Sequence, residues 1–222
     1  MKLSCFFARG LLALGLLSAS LVSAQVNLPG EYTVTGKDFA GQAFTGKLSI
    51  VQRQAVYRMT YRDGRTQRGM GIQRGNALFA AWGPNISCTV SALEIGADGN
   101  MSGPWGDLDQ NILGTENLKR QSGAPSDVVG TFESGGKTPT GESYSGVTTI
   151  ERRGAVFKVT FRGDGDVQEG VGVRLGNYLS VSYGGKNCGV TAYDIKADGS
   201  LVGVFAAFGE SRVGSEEMRK GW

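Results

Sequence analysis

The sequence predicts an all-β protein built from two tandem eight-stranded antiparallel meander barrels. Residues 30–120 are written again at 130–220, about 100 positions later. The two rows share Gly69-x-Gly71 with Gly170-x-Gly172, Cys88 with Cys188, and Glu116 with Glu216. Such self-similarity is the mark of one supersecondary unit built twice. Within each row apolar and polar residues alternate with period two, the signature of half-buried strands. The apolar stretches are separated by Asp63-Gly64, Gly75-Asn76, Asp98-Gly99 and their counterparts, which is hairpin turn chemistry.

In chain order, strands are predicted near 30–36, 43–52, 55–62, 67–74, 77–83, 88–97, 100–106 and 113–120. Their counterparts fall near 130–136, 143–152, 155–162, 168–175, 178–184, 188–197, 200–206 and 213–219. The third strand is the clearest. Tyr57, Met59 and Tyr61 share one face, with Arg58, Thr60 and Arg62 on the other. No segment has the length and 3.6-residue period of a crossover helix, so a parallel sheet is excluded. Gly69-x-Gly71 lies mid-strand with no helix after it and marks a bend or close packing rather than a phosphate loop.

A meander of this length closes into a barrel or folds into two facing sheets, a β-sandwich-like alternative. Closure is preferred because it removes both exposed edges. The expected inward set is Phe44, Ile50, Tyr57, Met59, Tyr61, Leu78, Trp82, Val90, Met101 and Trp105, with Tyr144, Ile150, Phe157, Val159, Phe161, Leu179, Tyr183, Val190, Leu201 and Phe205 in the second row. Large residues dominate it, which predicts a mostly filled interior. Repeat 1 is placed at 25–122, a linker at 123–127 and repeat 2 at 128–222, each repeat closing on itself.

Gly30-x-Tyr32 opens the first strand, and Lys119 and Arg120 close the last; Gly130-x-Phe132 pairs with Arg219 and Lys220 in the same way. This pattern resembles that of calycins, the lipocalin- and avidin-type barrels. There a Gly-x-Trp on the first strand packs near a basic residue from the last. Here tyrosine or phenylalanine replaces the tryptophan. The stretch from Phe44 to Glu116 also resembles small exported bacterial repeats labelled fibronectin-binding. These resemblances imply a ligand-holding barrel and supply no active site.

Residues 1–24 read as a signal peptide. Lys2 and Arg9 precede the apolar run 11–22, and Val22-Ser23-Ala24 resembles a cleavage site. The mature chain is therefore expected to be exported, periplasmic or extracellular. The full chain has 23 basic and 20 acidic side chains, and removing Lys2 and Arg9 leaves 21 against 20. Such a balance favours neither nucleic acid nor anionic lipid as a partner. The outward Arg58, Thr60 and Arg62 also argue against insertion in a membrane as a barrel, despite the terminal Trp222. Histidine is absent, which excludes His-dependent triads and His-containing zinc sites; no metal or cofactor is expected.

Candidate functional residues follow from what the rows share. Arg53, Arg62, Arg153 and Arg162 could form two equivalent anion-reading patches, or be solvated. Trp82 and Tyr183 are either core or ligand contacts. Cys88 and Cys188 read as structural, with two possibilities open: small buried residues beside Val90/Val190 and Ala92/Ala192, or a disulfide joining the copies. Glu116 and Glu216 also read as structural. Glu116 is expected to pair with Arg62 or Arg53, and Glu216 with Arg162 or Arg153, so that Glu216→Gln lowers the melting temperature.

The function expected is that of an exported, non-enzymatic binding protein that takes a protein surface, as an inhibitor or adhesin does, or a small apolar ligand. A structural envelope or matrix protein is the alternative. A calycin-type isomerase or cyclase is the third reading, opposed by the bulky apolar inward set. A polar-lined cavity of about a few hundred Å³ in each barrel would favour ligand chemistry.

Overall fold

The computed structural model describes residues 26–83, 88–163 and 165–221; the expected leader and Trp222 lie outside them. These residues form sixteen strands and no helix. The first row gives β1 (Gly30–Lys37), β2 (Ala43–Arg53), β3 (Val56–Arg62), β4 (Thr66–Arg74), β5 (Ala77–Gly83), β6 (Thr89–Ile95), β7 (Met101–Asp107) and β8 (Gly114–Arg120). The second gives β9 (Gly130–Lys137), β10 (Ser143–Arg153), β11 (Val156–Gly163), β12 (Val167–Leu175), β13 (Tyr178–Tyr183), β14 (Gly189–Ile195), β15 (Leu201–Ala207) and β16 (Gly214–Lys220). Every predicted strand is present with its ends within two residues. The turn glycines explain this accuracy: Gly75 and Gly176, at φ 55° and 58°, hold the left-handed conformation that ends one strand and begins the next.

Both barrels close, antiparallel throughout, which rules out the sandwich. They do not coincide with the repeats. Barrel 1 runs β1-β16-β15-β14-β5-β4-β3-β2, and barrel 2 runs β10-β11-β12-β13-β6-β7-β8-β9. Each takes five strands from one copy and three from the other. The expected assignment of 25–122 and 128–222 to separately closing barrels is therefore corrected. The chain leaves barrel 1 after β5 and enters barrel 2 at β6; it returns from β13 to β14.

The exchange is possible because the copies offer interchangeable edges. β5 pairs with β14 through Leu78↔Tyr193, and β13 pairs with β6 through Leu179↔Leu93. Leu179 is the counterpart of Leu78, and Tyr193 that of Leu93, so either closure would join equivalent strand faces. Two features tie the exchanged form together. Cys88 and Cys188, each at the start of a returning strand, are joined in a disulfide with Cα atoms 5.6 Å apart. Around it lies an apolar layer between the barrels, in which Met70, Ile72, Phe79, Val90 and Ala92 meet Val171, Val173, Val190 and Ala192. Burial of each large side chain there contributes roughly 1.5–3 kcal/mol.

Val90 and Val190 thus belong to the layer between barrels, not to the barrel interiors where they were expected. The cause is strand phase. On β4 the inward positions are Gly69 and Gly71, and the large Met70 and Ile72 point outward. A Cβ on Gly71 would come within 2.9 Å of Leu78, and one on Gly69 within 2.8 Å of the Ala81 carbonyl oxygen. Close packing, the expected reason for this Gly-x-Gly, is what the glycines allow.

The separate interiors are apolar. Leu28, Val34, Leu48, Ile50, Met59, Leu78 and Met218 fill the closed end of barrel 1. Leu93, Met101, Leu118, Phe132, Ile150, Val159 and Leu179 do so in barrel 2. The aromatic–basic contact implied by Gly-x-Tyr and Gly-x-Phe forms across copies. Arg120 stacks 4.6 Å from the ring centre of Phe132 and donates to the carbonyls of Ser122 and Val129, both at 3.0 Å. Lys220 lies 5.8 Å from the ring centre of Tyr32.

Candidate functional site: an acid-floored cavity in each barrel

The interiors are not filled as expected. Barrel 1 holds a cavity of about 600 Å³ and barrel 2 one of about 420 Å³. Their origin lies in cross-strand pairing of aromatic residues with glycine. Phe44 pairs with Gly36, Tyr144 with Gly136, Trp105 with Gly114 and Phe205 with Gly214. Each ring lies over the missing side chain. A Cβ on Gly214 would sit 2.2 Å from the Phe205 ring, and one on Gly36 would sit 2.6 Å from Phe44. Laid against the wall in this way, large residues line the barrel instead of plugging it.

One carboxyl group lies at the inner end of each cavity. On β16 the inward positions are Gly214, Glu216 and Met218, and on β8 they are Gly114, Glu116 and Leu118, so each glutamate is buried by strand phase. Glu216 is 8% exposed and Glu116 5%. The expected Glu–Arg pairs do not form. The exchange places Glu116 in barrel 2 while Arg53 and Arg62 are in barrel 1, and Glu216 in barrel 1 while Arg153 and Arg162 are in barrel 2. The carboxyls accept from neutral groups instead: the Tyr193 hydroxyl donates to Glu216 Oε1 at 2.5 Å, and the Ser91 hydroxyl to Glu116 Oε2 at 2.8 Å.

Withdrawal from water disfavours the charged carboxylate. Burial pushes Glu216 up to about 7, only partly opposed by the Tyr193 hydrogen bond. Burial raises Glu116 likewise, against the Ser91 hydrogen bond. The neighbouring phenols are displaced too. Burial and then the charge of Glu216 raise Tyr193 and Tyr61; burial and then Glu116 raise Tyr183 and Tyr144. Thr191, also lining cavity 1, has a buried hydroxyl with no hydrogen-bond partner among the described residues.

The remaining walls combine both copies. Phe39, Phe44, Tyr61 and Trp82 from the first copy line cavity 1 together with Tyr193 and Phe205 from the second, with Asp38, Asp63, Arg65 and Arg68 also on its lining. Cavity 2 sets Tyr144, Phe161 and Tyr183 against Ser91 and Trp105, and Asp166 and Gln168 complete it. Of the proposed ligand contacts, Trp82 and Tyr183 line these cavities. Arg53, Arg62, Arg153 and Arg162 are exposed at strand ends and line neither. Sequence reasoning missed Ser91, Phe39 and the role of Tyr193. The available signal was the phase of Glu116 and Glu216, which alternate with Gly and Leu or Met on the inward face.

The fold and cavities define a duplicated, strand-exchanged pair of closed antiparallel barrels, each with a buried acid. Compared with known proteins, the chain matches no family model, no curated protein and no solved structure.

Proposed function

We propose that this chain is an exported, non-enzymatic binding protein that holds one small molecule with an apolar body in each barrel. The observation that carries this reading is the pair of cavities, aromatic-walled with a buried carboxyl at the inner end. Their volumes of about 600 and 420 Å³ lie in the range of small-molecule pockets, where a few placed polar groups fix orientation. The calycin-like sequence pattern supports a ligand-holding barrel. The leader-like residues 1–24 and the Cys88–Cys188 disulfide support export to an oxidising compartment.

The outer surface supports a protein surrounded by water. Among the described residues, the exposed large apolar side chains are Val51, Ile112, Val147, Val167 and Val202, too few to make an apolar band. A binding role is favoured over catalysis because each cavity has a single buried carboxyl, which is hydrogen-bonded to a neutral hydroxyl and flanked by phenols that burial keeps protonated. The test is titration of the mature chain with the neutral solvatochromic dye Nile red. Two sites are expected, with quenching of Trp82 and Trp105. Ala80→Phe and Ser91→Phe, each checked for a retained folding transition, should reduce the stoichiometry to one. No saturable binding, or binding that neither variant changes, would overturn the reading.

A further inference from the structure

Resting on the reading of the cavities as ligand sites, we propose that each selects a ligand with an ammonium group on an apolar or aromatic body, the ammonium seated against Glu216 in barrel 1 and Glu116 in barrel 2. Neither glutamate forms an ion pair among the described residues. Each accepts one hydrogen bond from a neutral hydroxyl, on Oε1 of Glu216 and Oε2 of Glu116, and the second oxygen makes none among the described residues. A buried carboxylate lacks a counter-ion in both barrels, and a bound cation supplies it.

The walls point to the same charge independently. Aromatic faces carry negative potential, so they attract a desolvated cation and repel an anion. Phe44, Trp82 and Phe205 surround cavity 1, and Trp105, Tyr144 and Phe161 surround cavity 2. A carboxylate ligand would meet like charge at the glutamate, and in cavity 2 no arginine among the described lining residues would offset it. A neutral ligand would leave the acid unpaired.

The proposal fixes a pH dependence. The groups facing Glu216 are Tyr193 and Tyr61, with Arg65, Arg68, Asp38 and Asp63 also on the cavity lining; those facing Glu116 are Tyr144 and Tyr183, with Asp166. The phenols stay protonated through neutral pH because burial raises them. In barrel 1 Glu216 is then the group that changes charge there, and burial moves Glu116 in the same direction. An ammonium ligand favours the carboxylate, so its affinity for barrel 1 should rise as pH rises through about 7, with proton release below that pH.

Calorimetric titration of the mature chain at pH 8 with 2-phenylethylammonium, 2-phenylethanol and 3-phenylpropionate tests this. The ammonium should bind at least about tenfold more tightly than either of the others, as expected for a buried charge-assisted pair. A Glu116→Gln/Glu216→Gln double variant, checked for a retained folding transition, should lose that preference. Equal affinity for the alcohol or the acid, or a preference that survives the double variant, would overturn the proposal. If Nile red binds and no phenyl probe does, the ammonium assignment falls and the cavity reading stands. If nothing binds, both fall.

Discussion

The two cavities share a frame and differ in how they treat the same acid. In barrel 1, Glu216 meets the phenol of Tyr193 above an apolar floor that includes Val34 and Leu48. In barrel 2 the position of Tyr193 is Leu93, and Ser91 binds Glu116 instead. Where barrel 1 has Val34 and Leu48, barrel 2 has Ser134 donating to Thr148 at 2.7 Å. The linings differ as well, since Arg65 and Arg68 belong to cavity 1, whereas in cavity 2 Asp166 takes the place of Arg65 and Glu169, the counterpart of Arg68, is not on the lining. Duplication has kept the glycine–aromatic walls and the acid, and has varied what surrounds them. Under the proposed binding role, two related ligands, or one ligand with two affinities, would follow. With no arginine among the described residues of its lining, cavity 2 would be the better host for the proposed cation.

The exchange makes this comparison a property of the whole chain. Each acid is supplied by the last strand of one copy to a barrel that takes five strands from the other. The largest expected effect therefore comes from loosening the join between barrels. Cys88→Ser/Cys188→Ser removes a crosslink spanning 100 residues and should cost roughly 2–5 kcal/mol in chemical denaturation. Unfolding should stay a single transition, because neither barrel can close without strands from both copies. Two separate transitions would show barrels that fold independently.

Much of the architecture was legible in the sequence because it rests on local rules. Strand ends follow turn glycines, and the inward positions of β3 and β11 follow period-two alternation. The exchange was not legible. Leu78 can face Leu93 or Tyr193 with the same pattern, and the choice between them depends on the layer of Met70, Ile72, Val171 and Val173 between barrels. That layer was hidden because β4 and β12 put glycine inside and large residues outside. The cavities were hidden for a related reason. Trp105 and Phe205 look like core until cross-strand register sets them over Gly114 and Gly214. Glu116 and Glu216 were visible as inward acids, but the expected arginine partners belong to the other barrel.

That correction reverses the predicted effect of Glu216→Gln. The folded pKa of Glu216 is raised to about 7 from an ordinary 4.5, so the native state holds a proton that the unfolded chain releases over that window. Its effect on stability is absent below the unfolded value and becomes unfavourable as pH rises to about 7, by about 3 kcal/mol at most. Glu216→Gln should therefore raise the melting temperature at pH 8 and flatten its decline between about pH 4.5 and 7. Thermal melts across that range check this, and a lower melting temperature at pH 8 would restore the ion-pair reading. Glu116→Gln should act in the same direction.

The smallest effect separates the barrels most directly. Tyr193→Phe removes the phenol that donates to Glu216, and Ser91→Ala removes the hydroxyl that donates to Glu116. Each leaves a buried carboxylate short of a donor, at a cost of about 1–3 kcal/mol when it is charged. Tyr193 should be the costlier loss, because its hydrogen bond to Glu216, at 2.5 Å, is shorter than the 2.8 Å bond from Ser91 to Glu116. Both costs should shrink as pH falls, because burial favours the protonated acids, which no longer need the donor. Denaturant titrations of both variants at pH 5 and pH 8 provide the measurement. If the two losses are equal at pH 8 and unchanged at pH 5, the hydroxyls serve packing alone, and the difference between Tyr193 and Leu93 does not tune the acid.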